Sequence, residues 1–185
     1  LMNWHVVQQT VDYVHNQEKK HHKKIKMSLT TNGMLLDEEK TKYLTDNHIS
    51  LILSLDGRKE MHDRMRPDVN NEGTYDQIVK NLQYCIAQEY YVRGTFTRHN
   101  LDFTTDVEDM LDHGFPAVSM EPVVGDDSAE YSIKESDLPR VKEEYDRLAQ
   151  LFIQREEEGR PFFFFHFNMD LWKGPCLPKR LRGCG

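Results

Sequence analysis

The sequence predicts an α/β protein whose parallel strand–helix repeats form part of a barrel. Three observations carry that expectation. Short apolar runs alternate with amphipathic helical segments along the chain. The connections are short, and with right-handed crossovers this order gives a parallel sheet with helices on its outer face. Finally, three polar strings each close an apolar run: Thr30-Thr31-Asn32-Gly33, Ser54-Leu55-Asp56-Gly57 and Arg93-Gly94-Thr95-Phe96-Thr97. The carboxyl ends of parallel strands open on one rim, so these strings are expected to meet there. Their hydroxyls, carboxamide, carboxylate and guanidinium suit a polar, charged small molecule. A flavodoxin-like open sheet is the structural alternative.

The elements follow in order. Trp4, Val7, Val11 and Val14 recur at helical spacing, so residues 4–18 read as an amphipathic helix. Residues 17–24 form a charged connection whose His21-His22 pair lacks the cysteine or carboxylate that would complete a metal shell. Residues 25–31 read as a strand ending in the Asn32-Gly33 turn, and Asp37 caps a short helix that turns Tyr43 and Leu44 inward. Residues 49–55 are almost continuously apolar, as in a strand covered on both faces. A polar loop over 58–73 carries His62, Asp63 and Arg66. Thr74 with Gln77 forms a capping box ahead of a helix whose face is Tyr75, Ile78, Val79, Leu82, Cys85 and Ile86. Residues 92–97 are the next strand. Thr105 with Glu108 caps a helix with Val107, Met110 and Leu111 inward. Residues 115–121 form a further strand. Ser136 opens the last long helix, on which Leu138, Val141, Tyr145, Leu148 and Phe152 share a face. Residues 162–167 read as a final strand, and their phenylalanine run reads as core or as an interface rather than an aromatic cage.

Composition bounds the function. A chain of 185 residues with 38% apolar content supports one core. Its net charge of -7 disfavours nucleic acid. No apolar run approaches the ~20 residues that cross a bilayer, and no signal pattern opens the chain, so no membrane association and a cytoplasmic location are expected. The three cysteines, Cys85, Cys176 and Cys184, are too few and odd for a disulfide scaffold. Cys85 falls on an apolar helix face and reads as core. Cys176 and Cys184 sit in a cationic, Gly/Pro-containing loop that favours thiolate, and so stand as metal-ligand candidates beside the plainer reading of loop cysteines. The chain opens on a helix without a preceding strand and stops one residue after a cysteine, so it is expected to be a piece of a longer barrel protein lacking at least the first strands.

Taken in sequence, the strings resemble one family. Ser28-Leu29-Thr30-Thr31-Asn32-Gly33, Ser54-Leu55-Asp56-Gly57 with His62-Asp63 and Arg66, and Gly73-Thr74-Tyr75 come first. Arg93 to Arg98, Ser119-Met120-Glu121-Pro122, Phe165-His166-Phe167-Asn168 and the Gly174-Pro175-Cys176 to Gly183-Cys184-Gly185 segment follow. The chain is similar to the middle of radical S-adenosylmethionine (radical SAM) peptide maturases carrying a C-terminal SPASM extension. Within them it most resembles the subgroup that forms thioether crosslinks in small cysteine-rich (SCIFF) peptides.

The resemblance implies a (β/α)6 partial barrel over residues 1–160. Residues 161–185 would then be the last strand and the start of a linker to a SPASM auxiliary-cluster domain. It implies S-adenosyl-L-methionine and [4Fe-4S] clusters as cofactors, with a 5′-deoxyadenosyl radical modifying a small ribosomally made peptide. A reductant such as ferredoxin or flavodoxin would be a partner. It assigns Arg93 and Ser54 to the SAM carboxylate, Thr31 and Asn32 to its ribose or amine, and Glu121 to the substrate or the adenosine; Asp56 either binds SAM polar groups or caps the loop after its strand through an Asx turn. Cys184, and more weakly Cys176, would ligate an auxiliary cluster. The chain departs from the pattern: it holds no C-x-x-x-C-x-x-C triad and no G-G-E-P string. The piece is therefore expected to be inactive alone, and to self-associate through an exposed sheet edge. A cluster-free barrel-like module binding a peptide or nucleotide is the competing reading. A lysine-dependent lyase or aldolase finds no lysine at a strand end.

Overall fold

The computed structural model describes residues 1–85 and 90–168. Helices and strands alternate as α1 (Trp4–His21), β1 (Met27–Thr31), α2 (Glu38–Asp46), β2 (Ile49–Ser54), α3 (Lys59–Met65) and α4 (Tyr75–Leu82). They continue as β3 (Tyr90–Phe96), α5 (Phe103–Asp112), β4 (Ala117–Pro122), α6 (Leu138–Glu157) and β5 (Phe163–Phe164). The strands form one sheet in sequential order, β1-β2-β3-β4-β5, and each pairing is parallel. The expected parallel α/β repeat is therefore what the chain adopts.

Successive side chains of a strand point to opposite faces, and here one face carries the core. In β2, Ile49, Leu51 and Leu53 are buried while Ser50, Ile52 and Ser54 are half-buried. Val92 and Phe96 of β3 and Val118 and Met120 of β4 lie on the same side, packed with Leu44, Ile78, Leu82, Val107, Met110 and Leu148 of the helices. Phe96 stacks on Phe103 with ring centroids 4.2 Å apart, and Tyr145 meets Phe103 edge-on. Each such side chain contributes roughly 1.5–3 kcal/mol by leaving water. The opposite face is more open: Ser50, Ile52 and Ser54 stay half-buried there, although Ser119 of β4 is buried. Among the described residues β2 is therefore fully covered on one side only, which corrects that part of the sequence reading.

Other local expectations shift for physical reasons. Asp37 caps α2 as expected, accepting from the Lys40 N–H at 2.8 Å. α1 runs on through the charged segment to His21, because Lys19, Lys20 and His21 suit the negative end of the helix dipole. The polar stretch 58–73 is not all loop: it contains α3. The Thr74 hydroxyl does not cap α4. It donates to the Arg66 carbonyl at 2.8 Å, and Asp63 Oδ1 accepts the Tyr75 N–H at 2.9 Å instead. Thr105 lies inside α5, which begins at Phe103. Leu138 is exposed at the start of α6 rather than inward. The last strand covers only Phe163–Phe164, followed by a 3-10 turn over Phe165–Phe167. Phe162 and Phe164 are buried, while Phe163 and Phe165 are 45% and 51% exposed. Ile86 lies outside the described residues.

Candidate functional site

The strand register assembles a polar row on the open face. Ser54 of β2 is the partner of Arg93 of β3, and Arg93 is the partner of Ser119 of β4. One step on towards the carboxyl ends, Thr95 pairs with Glu121. Alternation puts Ser54, Arg93, Thr95, Ser119 and Glu121 on one side, opposite Leu53, Val92 and Val118. Ser54 and Arg93 therefore share a face, as the sequence reading requires.

Within the row, Arg93 Nη2 donates to Glu121 Oε2 at 2.9 Å, and Ser119 Oγ donates to Glu121 Oε1 at 3.1 Å. The side chains of Arg93 and Glu121 are 49% and 31% exposed, so the pair faces solvent. Burial alone would raise the Glu121 pKa, but the Arg93 guanidinium and the Ser119 hydroxyl hold it below the usual carboxylate range. His166 adds to that lowering, and its Nδ1 lies 3.2 Å from the Tyr145 hydroxyl.

Asp56 sits beside this row with its carboxylate already engaged. Arg66 grips it through Nε to Oδ2 at 2.6 Å and Nη2 to Oδ1 at 3.0 Å, and the Thr95 N–H donates to Oδ1 at 2.9 Å. One buried side chain thus ties the end of β2, the end of α3 and β3 together. The Asp56 N–H donates to His62 Nδ1 at 3.2 Å, and His62 Nε2 lies 3.0 Å from Thr74 Oγ1. Since Nδ1 accepts, the ring proton is assigned to Nε2. Burial lowers the pKa of this histidine. His62 and Asp63 are consequently internal supports, and of the three polar residues in this stretch only Arg66 reaches the rim. There a cleft of about 250 Å³ is lined by Asp56, Met65, Arg66, Thr95, Thr97 and Val123.

The following residues lock the same loop. Gly57 has φ +93°, and a Cβ there would come 2.2 Å from the Asp106 Cβ. Arg58 Nε and N–H donate to Asp106 Oδ1 at 2.8 and 3.0 Å, and its Nη atoms bind both oxygens of Asp102. Burial raises the Asp106 pKa, against the opposing pull of Arg58 and Asn100. The sequence reading missed both arginine clamps.

Thr31 is placed differently from the expectation. Thr31 is the register partner of Leu53, buried on the core face, and its Oγ1 accepts the Gly33 N–H at 3.2 Å. It is not brought together with Ser54 and Arg93. Asn32 is exposed in the turn, and its Oδ1 accepts the Met34 N–H at 3.3 Å. On β1 the open face is taken by Ser28 and Thr30 instead. Cys176 and Cys184 lie outside the described residues. Cys85 is fully buried, and burial pushes its thiol pKa up. Among the described residues no group of His, Cys, Asp and Glu could hold a metal ion, and no helix is long and apolar enough to cross a membrane.

No protein-family model matches the chain. It is 38% identical over 56 residues to the cysteine-type anaerobic sulfatase-maturating enzyme of Clostridium novyi (strain NT); this covers 30% of the chain and 15% of that protein. It is 39% identical over 64 residues to the enzyme of the same name from Clostridium perfringens (strain 13 / Type A), covering 34% and 17%. Among solved structures it is similar to native anSMEcpe with bound AdoMet and Kp18Cys peptide, with a TM-score of 0.76 at 20% identity, over 87% of this chain and 47% of that one. Streptococcus suis SuiB bound to S-adenosylmethionine gives a TM-score of 0.53 at 16% identity, over 71% and 31%. The chain thus spans about half the length of anSMEcpe and has its fold.

Proposed function

We propose that the row Ser54–Arg93–Ser119–Glu121 is the carboxylate-recognising end of an S-adenosyl-L-methionine site in a radical SAM peptide maturase, of which this chain is part. The observation that carries the reading is the register pairing of Ser54 with Arg93 on the open face. A guanidinium offers a planar fork of donors that matches a carboxylate, and a neighbouring hydroxyl adds a further donor. AdoMet fits these residues: Arg93 and Ser54 would take its α-carboxylate, and the cleft beside Arg66, Thr95 and Val123 has room for part of the nucleoside. When bound and given one electron by a reductant, AdoMet would release methionine and supply a 5′-deoxyadenosyl radical for hydrogen-atom abstraction. Glu121 is placed to hold the Arg93 fork in position beforehand, and Asp56 to fix the spacing of β2 and β3 beneath it.

An iron–sulfur cluster does not fit the residues of this chain in the same way. Cys85 is buried in the core, and residues 1–185 hold no C-x-x-x-C-x-x-C string that would ligate the cluster. Support for a peptide substrate comes from the relatives, which are maturating enzymes by name, and from anSMEcpe, which was solved with a peptide. Thioether crosslinking of a cysteine-rich peptide, a ferredoxin- or flavodoxin-type reductant and auxiliary ligation by Cys184 and Cys176 rest on the sequence strings, and a cytoplasmic location rests on the composition of the chain. So do the division at residue 160 and the SPASM linker. The open face with Phe163 and Phe165 exposed supports self-association. Concentration-dependent light scattering showing a fixed monomer mass would remove that part.

The test of the main reading is calorimetric titration of the chain with AdoMet and with decarboxylated AdoMet, which keeps the nucleoside, sulfonium and amine but has no carboxylate. Tighter binding of AdoMet supports the carboxylate site. Equal affinities, or no AdoMet binding, refute it.

A further inference from the structure

Two titratable side chains beside the polar row are not used by the AdoMet reading. Tyr145 projects from α6, its ring edge-on to Phe103 at 5.0 Å and to Phe96 at 6.4 Å between centroids. Its hydroxyl lies 3.2 Å from Nδ1 of His166, in the 3-10 turn after β5. The imidazole is flanked by the rings of Phe164 and Phe165. A half-buried tyrosine needs a partner for its hydroxyl, and a backbone carbonyl would serve. An imidazole is a different kind of partner, because it can also take the proton. The third member is Glu121, whose carboxylate is held by Arg93 and Ser119 and whose charge acts on both Tyr145 and His166. A phenol, a base and a negative charge are thus gathered at the carboxyl ends of β4 and β5.

We propose that Tyr145 and His166 form a redox relay that quenches a stray carbon radical in the site: Tyr145 gives up one electron while its hydroxyl proton passes to His166 Nδ1. The relay rests on the radical SAM reading for the source of the radical. The carbon radical takes the electron from Tyr145 and a proton from solvent, and becomes a C–H group. Tyr145 becomes a neutral phenoxyl radical and His166 an imidazolium. One electron from a reductant of the class that cleaves AdoMet, with the proton returned by His166, restores both side chains. Burial and the Glu121 charge raise the Tyr145 pKa, so the hydroxyl keeps its proton until the electron leaves. An oxidised phenol is a strong acid, and a base within hydrogen-bond reach must then accept the proton. With Tyr145 donating to Nδ1, the ring proton of His166 is assigned to Nε2 and Nδ1 offers its lone pair. The Glu121 carboxylate stabilises the imidazolium that results. A phenolic O–H bond is weaker than the C–H bond of a primary alkyl group, so quenching a 5′-deoxyadenosyl radical is downhill. A peptide in contact with that radical reacts faster than this longer route, so the relay acts when no peptide is seated.

The experiment is flash photolysis of the 185-residue chain with tris(bipyridine)ruthenium(II) as sensitiser and persulfate as electron acceptor, without AdoMet. Tyrosyl radicals are read by transient absorption and by electron paramagnetic resonance. A slowly decaying tyrosyl signal is expected, because the ring is shielded and its proton is held on His166. Tyr145→Phe should lose it. His166→Gln should lose it too, although a glutamine can still accept the Tyr145 hydrogen bond; this separates proton acceptance from structural support. Tyr13→Phe, at an exposed tyrosine, should leave it unchanged. Melting temperatures matching the unsubstituted chain verify the fold of each variant. On the unsubstituted chain, deuterium oxide should slow formation of the signal, since a proton moves with the electron. Absence of the slow signal, its survival in Tyr145→Phe or His166→Gln, or equal rates in the two solvents overturns the relay. Survival in His166→Gln would make the pair a packing contact only. The photochemistry needs no AdoMet, so a failed AdoMet titration would leave its result standing, and a missing tyrosyl signal would leave the AdoMet site standing.

Discussion

Replacing Arg93 by alanine tests the carboxylate site quantitatively. A guanidinium and a carboxylate with charge centres about 4 Å apart attract by about 1 kcal/mol in water and by about 4 kcal/mol at an effective dielectric near 20. Arg93 is 49% exposed, which argues for the lower part of that range. Its existing pair with Glu121 is a solvent-facing one, worth about 0.2–1 kcal/mol, and a ligand carboxylate must share or displace it. The net loss expected for AdoMet on Arg93→Ala is therefore about 1–3 kcal/mol, or about 5- to 150-fold in Kd. Calorimetric titration of both proteins with AdoMet and with decarboxylated AdoMet closes a cycle that isolates the carboxylate contribution. The carboxylate-free ligand should change by less than about twofold, and stability by less than about 1 kcal/mol. An AdoMet affinity that stays within about twofold, or an equal loss for both ligands, would refute the assignment of Arg93.

Three further outcomes follow from the supports around the row. Asp56→Ala leaves the partly exposed Arg66 guanidinium and the Thr95 N–H without their partner, and should cost about 2–4 kcal/mol in urea unfolding; a loss under about 1 kcal/mol would show that Asp56 is not the tie. Gly57→Ala meets both a left-handed backbone and an overlap with Asp106, so a destabilisation of about 3 kcal/mol or more is expected, and an unchanged melting temperature would contradict it. His62 is buried and its pKa is lowered below the unfolded value of about 6.5. Between the folded and unfolded pKa values only the unfolded chain takes up the proton, so stability is lost as pH falls below about 6.5. His62→Gln should flatten this slope between about pH 7 and about pH 5, and identical slopes in the two proteins would exclude His62 as its source.

The sequence made the strands and their polar ends legible because short apolar runs and terminal Asx-Gly turns are local signals. Ser54 and Arg93 could be placed on one rim before their register was known. α3 was not legible: its residues Lys59–Met65 have little apolar periodicity, and tertiary bonds from His62 and Asp63 hold it in place. Thr74 followed by Gln77 looks like a capping box, yet Asp63, twelve residues before Tyr75, supplies the capping oxygen. Thr31 illustrates a limit of motif reading: the string places it beside Asn32, but alternation along β1 sends its side chain to the core. For Asp56 the residue type left binding and support equally open, and only the positions of Arg66 and Thr95 decide for support.

The sequential order of the sheet has a kinetic consequence. Among the described strands each pairs with the next in the chain, and the longest closure runs from Pro122 to Phe163. Assembly can spread from unit to unit, each new repeat docking on a finished edge. A nucleus in the best-packed pair, β3 with β4, would gain partners on both sides without rearranging what has already formed, the behaviour expected of a topology with modest contact order.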